Sequence, residues 1–181
     1  MRVDKTIYDG RPQEAAVTDV ENAAYDLLEQ AGVPFARAQH DEAATIEDCQ
    51  AVEELLGITI CKNLLLNVAN KSAYYLLVLP GKKRFKTKEL SAMLGCSRLS
   101  FSGAADMMRL LGVEPGSVSV LALANDKDRQ VTLVIDRDVL EDEYFGCHPC
   151  KNTASLRIRT ADLVEKILLV MEREPVVVEL P

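Results

Sequence analysis

A change of hydrophobic period at Gly57 constrains the fold of this chain more than any other feature of its sequence. Upstream, Val20, Ala23, Ala24, Leu27, Leu28 and Ala31 recur at helical spacing, from a Thr18-Asp-Val-Glu21 capping box to the breakers Gly32 and Pro34. After an extended piece around Phe35 to His40, Thr45 is placed to cap a second helix that holds Ala51, Val52, Leu55 and Leu56 and closes at Gly57. Downstream the pattern becomes short apolar runs between turn residues: Ile58-Thr-Ile-Cys61, Leu64-Leu-Leu-Asn67 and Tyr74-Tyr-Leu-Leu-Val-Leu79. That is the signature of strands.

The second half mixes both periods. Leu90, Met93 and Leu94 suggest a short helix before Gly95, and Arg98-Leu-Ser-Phe101 reads as a strand. Ser102 is placed to cap a helix that carries Ala105, Met108 and Leu111 and stops at Gly112. Val120 to Ala124 and Val131 to Ile135 flank the polar turn Asn125 to Arg129, which reads as a hairpin. A strand at Ser155 to Ile158, a helix holding Leu163, Val164, Ile167, Leu168 and Met171, and a Pro175 to Leu180 tail complete the chain. Without a regular βαβ repeat, the expected fold is a mixed α/β domain, its sheet largely antiparallel with flanking helices. Residues 1 to 17 are polar and aperiodic and read as an N-terminal arm, mobile or loosely docked; residues 18 to 181 read as one domain.

A chain of 181 residues, 48% hydrophobic, buries a core without disulfides or metal. No apolar stretch approaches the roughly 18 residues of a membrane span, and no signal-peptide core follows Met1, so a cytoplasmic protein is expected. Five cysteines, an odd number spread through the pattern, read as reduced thiols. The net charge of -7 argues against a protein that coats nucleic acid, since phosphate neutralisation supplies most of such affinity.

Chemistry is concentrated in loops. Lys62-Asn63 sits between two strand-like runs, where a lysine either reaches solvent or meets an anion or developing oxyanion. The loop from Gly112 through Pro115-Gly-Ser-Val-Ser119 offers peptide N–H groups, yet has no phosphate-loop lysine and no dinucleotide glycine spacing. Gly146-Cys-His-Pro-Cys-Lys-Asn152 invites a zinc reading, but a tetrahedral site lacks its fourth ligand because the only other histidine, His40, is distant in sequence. A redox Cys-x-x-Cys would open a helix, whereas Pro149 and the residues after it read as loop. Cys147 as a nucleophile beside His148 suffers from diverging neighbouring side chains. Lys82-Lys-Arg-Phe-Lys-Thr-Lys88 places five cations in seven positions: a solvated run, or a strip for phosphates at a nucleic-acid end. Asp126, Asp128, Asp136 and Asp138 read as turn and surface residues.

Several of these segments occur together in one order: Thr45-Ile-Glu-Asp-Cys49, Ile60-Cys-Lys-Asn-Leu64, Tyr75 to Pro80, Phe85-Lys-Thr87, Ser97 to Phe101, Pro115 to Ser119, Asn125-Asp-Lys127 and Gly146 to Thr153. The set resembles the YbaK/prolyl-tRNA-synthetase-associated editing domains, in particular the free-standing prolyl-tRNA deacylase-like branch, over roughly residues 10 to 170. The resemblance implies that fold and a trans-acting hydrolase that deacylates mischarged tRNA(Pro), typically alanyl-tRNA(Pro), without metal or cofactor. It implies Lys62 as the essential cation and the Gly112 to Ser119 loop around the aminoacyl end; ester hydrolysis needs donors to a developing oxyanion, which the peptide N–H groups of Gly116, Ser117 and Val118 could supply with Lys62. Thr45, Asn63, Gly112, Pro115, Gly146, His148, Pro149 and Asn152 would surround the substrate. Lys82, Lys83, Arg84, Lys86 and Lys88 would contact the acceptor end of the aminoacyl-tRNA. No membrane partner is implied; association with the translation machinery and the choice of monomer or homodimer stay open. The alternatives are a deacylase for another species such as cysteinyl-tRNA(Pro), and a non-catalytic aminoacyl-tRNA or amino-acid-binding regulatory module.

Overall fold

The structure, a computed structural model, describes residues 1–13, 17–42 and 49–181. Thr45, expected both as a helix cap and as a substrate contact, lies outside the described residues.

The first helix forms as its caps dictate. In α1 (Asp19–Gln30), the Glu21 N–H donates to the Thr18 hydroxyl at 3.4 Å, and the Glu21 carboxylate accepts from the Thr18 N–H at 2.9 Å. The buried stripe Ala24, Leu27 and Leu28 then faces the core. The second, α2 (Gln50–Leu56), ends at Gly57 in the left-handed conformation, with its N–H on the Glu53 carbonyl. Between them β2 (Ala36–Gln39) is extended; β1 (Tyr8–Asp9) pairs with it.

The runs after Gly57 form β3 (Thr59–Val68) and β4 (Tyr74–Pro80), followed by α3 (Thr87–Met93), β5 (Leu99–Phe101) and α4 (Ala104–Leu111). Then come β6 (Val131–Asp136), α5 (Arg137–Glu141), β7 (Tyr144–Cys147) and β8 (Ala154–Arg159). Next, α6 (Thr160–Asp162) passes through a π-helical segment (Leu163–Ile167) into α7 (Leu168–Val170), and β9 (Val176–Val178) ends the described elements. The strands stand in the order β1-β2-β8-β7-β3-β4-β6-β9, with β5 joined to β3. Antiparallel pairs predominate; β3 with β7, β4 with β6 and β6 with β9 are parallel. The expected mixed α/β class is the observed one.

Both faces of the sheet are covered. Leu65, Leu76 and Val78 point to the main core with α1, α4 and the C-terminal helical segments, while Leu66, Leu77 and Leu79 point to a second cluster with Leu90 of α3. A third cluster packs Val52 and Leu56 of α2 on Ala36, Ala38 and Ile60. Two-sided burial explains why these strands read as continuous apolar runs rather than alternating ones.

Five expectations need correction. The described residues 1–13 are not a loose arm: β1 is an edge strand of the sheet, Val3 bridges His40, and the Arg11 guanidinium pairs with Asp26 and Glu29. The hairpin is absent, because Val120–Asn125 is a 3-10 helix and β6 pairs in parallel with β4. A short, wholly apolar run fits a buried strand or a buried helical turn equally well, and here the Ser119 hydroxyl, accepting from the Leu121 N–H, starts a turn. Ser102 does not cap α4; Gly103 does, and the Ser102 hydroxyl instead donates to the Asn67 side chain at 2.8 Å. Asp126 and Asp136 are buried rather than at the surface, paired with Arg173 at 3.1 Å and Lys83 at 2.8 Å. The tail after Pro175 also joins the sheet, as β9 beside β6.

Candidate active site

A split along one edge of β3 makes the cavity. Its Thr59 and Ile60 pair with β7, and Leu66 to Val68 pair with β5 on the same edge. Between these contacts the edge is open, and Ile60, Cys61, Lys62, Asn63, Leu64 and Leu65 all line a cavity of about 350 Å³. Six consecutive residues of one strand cannot line a cavity lying on a sheet face, where only alternate side chains would reach it. This one lies in the gap. His40, Met107, Gly116, Val118, His148, Asn152 and Ser155 complete most of its wall.

Lys62 is half-buried there, and its ammonium donates to the carbonyl of Lys83 at 2.9 Å. Lys83 is itself fixed: its side chain is only 16% exposed and meets Asp136 at 2.8 Å and Asp138 at 2.7 Å. Burial opposes its charge, and the bonds to the two aspartates outweigh that, so its pKa is raised. The buried pair therefore holds the carbonyl that aims Lys62. This removes Lys83 from the expected tRNA-contacting strip. Lys82, Arg84, Lys86 and Lys88 alternate outward as exposed residues, with Lys82 near Glu53 and Lys86 near Glu89.

The Gly112 to Ser119 loop divides. Gly112, at φ 68°, is the left-handed end of α4 and donates to Met108, away from the cavity. Glu114-Pro-Gly-Ser117 closes a tight turn in which the Ser117 N–H donates to the Glu114 carbonyl at 3.0 Å and Gly116 takes φ 84°. Proline followed by a positive-φ glycine is what such a turn demands. So Ser117, expected as a peptide donor to the ester, spends its N–H inside the turn, and Pro115 serves the turn rather than the cavity wall. Gly116 and Val118 do face the cavity, and among the described residues neither N–H has an acceptor.

The Gly146 to Asn152 segment divides as well. A Cβ on Gly146 would stand 2.6 Å from the carbonyl oxygen of Thr59, so this glycine allows β7 to approach β3 and is not a pocket contact. Pro149 is buried beside the cavity without lining it. Cys147 and Cys150 turn into the main core. Burial drives the Cys147 thiol well above its ordinary pKa and the Cys150 thiol to about 12, which leaves neither a thiolate for nucleophilic or ligand chemistry. His148 and Asn152 do reach the cavity, with Asn152 donating to Glu42 at 3.2 Å and its amide nitrogen lying 3.5 Å from where a Gly116 Cβ would be.

The two loops are joined. Ser119 Oγ donates to the His148 carbonyl at 2.9 Å, and the Asn63 side chain accepts from the Val120 N–H at 2.9 Å while donating to the Cys61 carbonyl at 3.2 Å. Asn63 thus works as a strut from β3 to the 3-10 helix. His148 Nδ1 is buried without a partner among the described residues; burial, then the neighbouring His40, lower its pKa from 6.5 to about 4. The native state binds that proton less readily than the unfolded chain, so stability is full above pH 6.5 and declines as pH falls toward 4. Urea melts are expected to show His148→Phe losing less stability than the parent chain between pH 7.5 and pH 4.5, by up to about 3 kcal/mol. Equal losses would remove His148 as the source.

His40 is the residue that sequence distance concealed. It extends the alternation Ala36, Ala38, His40 along one face, a period-two signal that would have put it beside the sheet's other polar groups. Among the described residues no three of His, Cys, Asp and Glu are arranged to hold a metal ion.

Residues 40–166 match the family model of the aminoacyl-tRNA editing domain. This chain belongs to the aminoacyl-tRNA editing domain family. It is 27% identical over 150 residues to the prolyl-tRNA editing protein ProX of Acetoanaerobium sticklandii, covering 83% of this chain and 91% of that protein. It is 28% identical over 151 residues to prolyl-tRNA synthetase associated domain-containing protein 1 of Danio rerio, covering 82% of each. A crystal structure described as a candidate trans-editing enzyme for prolyl-tRNA synthetase superposes with a TM-score of 0.68 at 16% identity, over 91% of this chain and 98% of that one. As an editing domain the chain is a hydrolytic enzyme.

Proposed function

We propose that this chain deacylates mischarged tRNA(Pro) in trans, with alanyl-tRNA(Pro) as its substrate. The observation that carries the reading is that Lys62 lines one cavity with Gly116 and Val118, whose N–H groups have no acceptor among the described residues. Hydrolysis of an aminoacyl ester concentrates negative charge on the carbonyl oxygen, and fixed donors aimed at that oxygen lower the barrier most. Lys62 binds the oxyanion or the terminal phosphate, Gly116 and Val118 donate to the carbonyl, and the ribose hydroxyl of the substrate positions or deprotonates the attacking water. His148, held neutral near pH 7, hydrogen-bonds and shapes the pocket and does not act as an acid. No protein nucleophile, metal or cofactor enters this scheme.

Discrimination is by exclusion, because binding separates one methylene by only about 1–3 kcal/mol and a second, hydrolytic sieve adds to the selectivity of charging. The exposed cations Lys82, Arg84, Lys86 and Lys88 lie on the loop that holds Lys62 and suit the phosphates of the acceptor end. The relatives named as prolyl-tRNA editing or prolyl-tRNA synthetase associated proteins support tRNA(Pro) as the carrier. The deciding experiment charges tRNA(Pro) with labelled alanine, cysteine, serine or proline and measures release by the purified protein. Alanine release with proline retained is expected. Preferential release of cysteine would replace alanine as the substrate, and no release from any of them would favour a binding module.

A further inference from the structure

Three polar residues of the cavity wall come from the two sides of the β3 gap. Continuing the β7–β8 ladder one pair past Cys147 and Leu156 sets His148 opposite Ser155, while Lys62 lies on the stretch of β3 beyond its last pair with β7, Ile60 with Gly146. All three line the cavity.

His40 fixes the polarity of Ser155. Its Nδ1 lies 2.8 Å from the carbonyl oxygen of Asp41 and its Nε2 2.9 Å from Ser155 Oγ. A carbonyl oxygen has no proton to give, so Nδ1 carries the ring proton. In the neutral ring Nε2 is then only an acceptor, and Ser155 must donate to it. Burial lowers the pKa of His40, which favours that neutral ring. The serine proton points at His40, and the lone pairs of Ser155 are left for the cavity.

The surrounding backbone holds this arrangement in place. The His40 N–H donates to Thr153 at 3.0 Å and the Asp41 N–H to Arg2 at 2.9 Å, while the Arg2 N–H donates to the Asp41 carboxylate at 2.9 Å. The first strand-like segment of the chain therefore clamps the residue whose carbonyl sets the tautomer. Elsewhere on the cavity wall Lys62 is a donor, and the Gly116 and Val118 N–H groups have no acceptor among the described residues. A ligand that satisfies these donors and Ser155 has an acceptor oxygen and an N–H donor.

We propose that Ser155 accepts a hydrogen bond from the α-ammonium of the esterified amino acid, with His40 as the positioning residue that turns the serine proton away from the cavity. This rests on reading the cavity as the site of aminoacyl ester hydrolysis, and it adds how the enzyme recognises an amino acid rather than any acyl group.

The test is calorimetric binding of two stable amide analogues, 3′-alanylamino-3′-deoxyadenosine and its 3′-propionylamino counterpart, which lacks the α-nitrogen. The parent chain is expected to prefer the alanyl compound by roughly 10- to 100-fold, the scale of one hydrogen bond to a charged group. Ser155→Ala should bind both compounds alike, with affinity for the propionyl compound unchanged. His40→Gln, whose side-chain oxygen can accept the serine proton, should retain the preference, and His40→Phe should lose most of it. A full alanyl preference in Ser155→Ala, an equal loss for both analogues, or binding of neither by the parent chain would overturn the proposal. Preferential binding by a protein that releases no amino acid from any charged tRNA would instead overturn the deacylase reading and leave Ser155 in its role.

Discussion

Lys62→Ala is expected to lower the turnover of alanyl-tRNA(Pro) by roughly 100- to 1000-fold, the cost of removing one fixed donor from a developing oxyanion. With Lys62 on the oxyanion the loss appears in kcat, because an interaction made chiefly with transition-state charge leaves substrate affinity largely intact; with Lys62 on the terminal phosphate it appears in KM. Stability should barely change. The side chain is half-buried and makes one hydrogen bond, to the Lys83 carbonyl, whose loss is worth about 1 kcal/mol. Lys62→Arg keeps the charge but replaces a point ammonium by a planar fork in a confined gap, so partial rescue at most is expected. Single-turnover kinetics with matched melting curves make the check. Unchanged turnover in a folded Lys62→Ala protein would remove Lys62 from the chemistry and with it the proposed mechanism.

The second large effect is structural. Gly146→Ala places a Cβ 2.6 Å from the Thr59 carbonyl oxygen and 2.8 Å from the Ile58 side chain. Ile58 can shift, but a strand carbonyl in a parallel pair cannot move without opening the pair. A cost of about 3 kcal/mol is expected, at the upper end for overpacking. For a domain of this size that corresponds to a fall in Tm of roughly 10 °C. Because β7 and β5 share one edge of β3, prising β7 away also widens the gap that forms the cavity, so activity should fall with stability. Melting at the parent temperature would show that β7 can retreat from Thr59 at no cost, and Gly146 would then revert to a substrate contact.

The contrast between these two residues shows how far the sequence could be read. Lys62 was legible as a candidate because a lysine between apolar runs is chemically conspicuous. Gly146 was equally conspicuous, but its reason lies in the Thr59 backbone, 87 residues earlier in the chain, and no local pattern states that. Ser117 shares one loop with Gly116 and Val118, and only the turn geometry shows that its N–H is consumed by Glu114. His40 is far in sequence from the Cys147 to Cys150 segment, and β2 and β8 pair across that distance to put it on Ser155. Asp136 looked like a surface residue because an isolated carboxylate belongs in water, yet Lys83 meets it in the interior.

Local sequence encodes the capping box of α1, the glycine ends of α2 and α4, the Glu114 to Ser117 turn, and the strand character of the runs after Gly57. Each of these depends on dihedral preferences and on hydrogen bonds spanning a few residues, so the local order of residue types suffices. Long-range packing makes Val120–Asn125 helical, joins β1 and β9 to the sheet, and sets β7 and β5 on one edge of β3. Those outcomes depend on which apolar faces and which unpaired backbone groups find one another across the chain. The cavity belongs to this second class, because it is the interval that strand pairing leaves open.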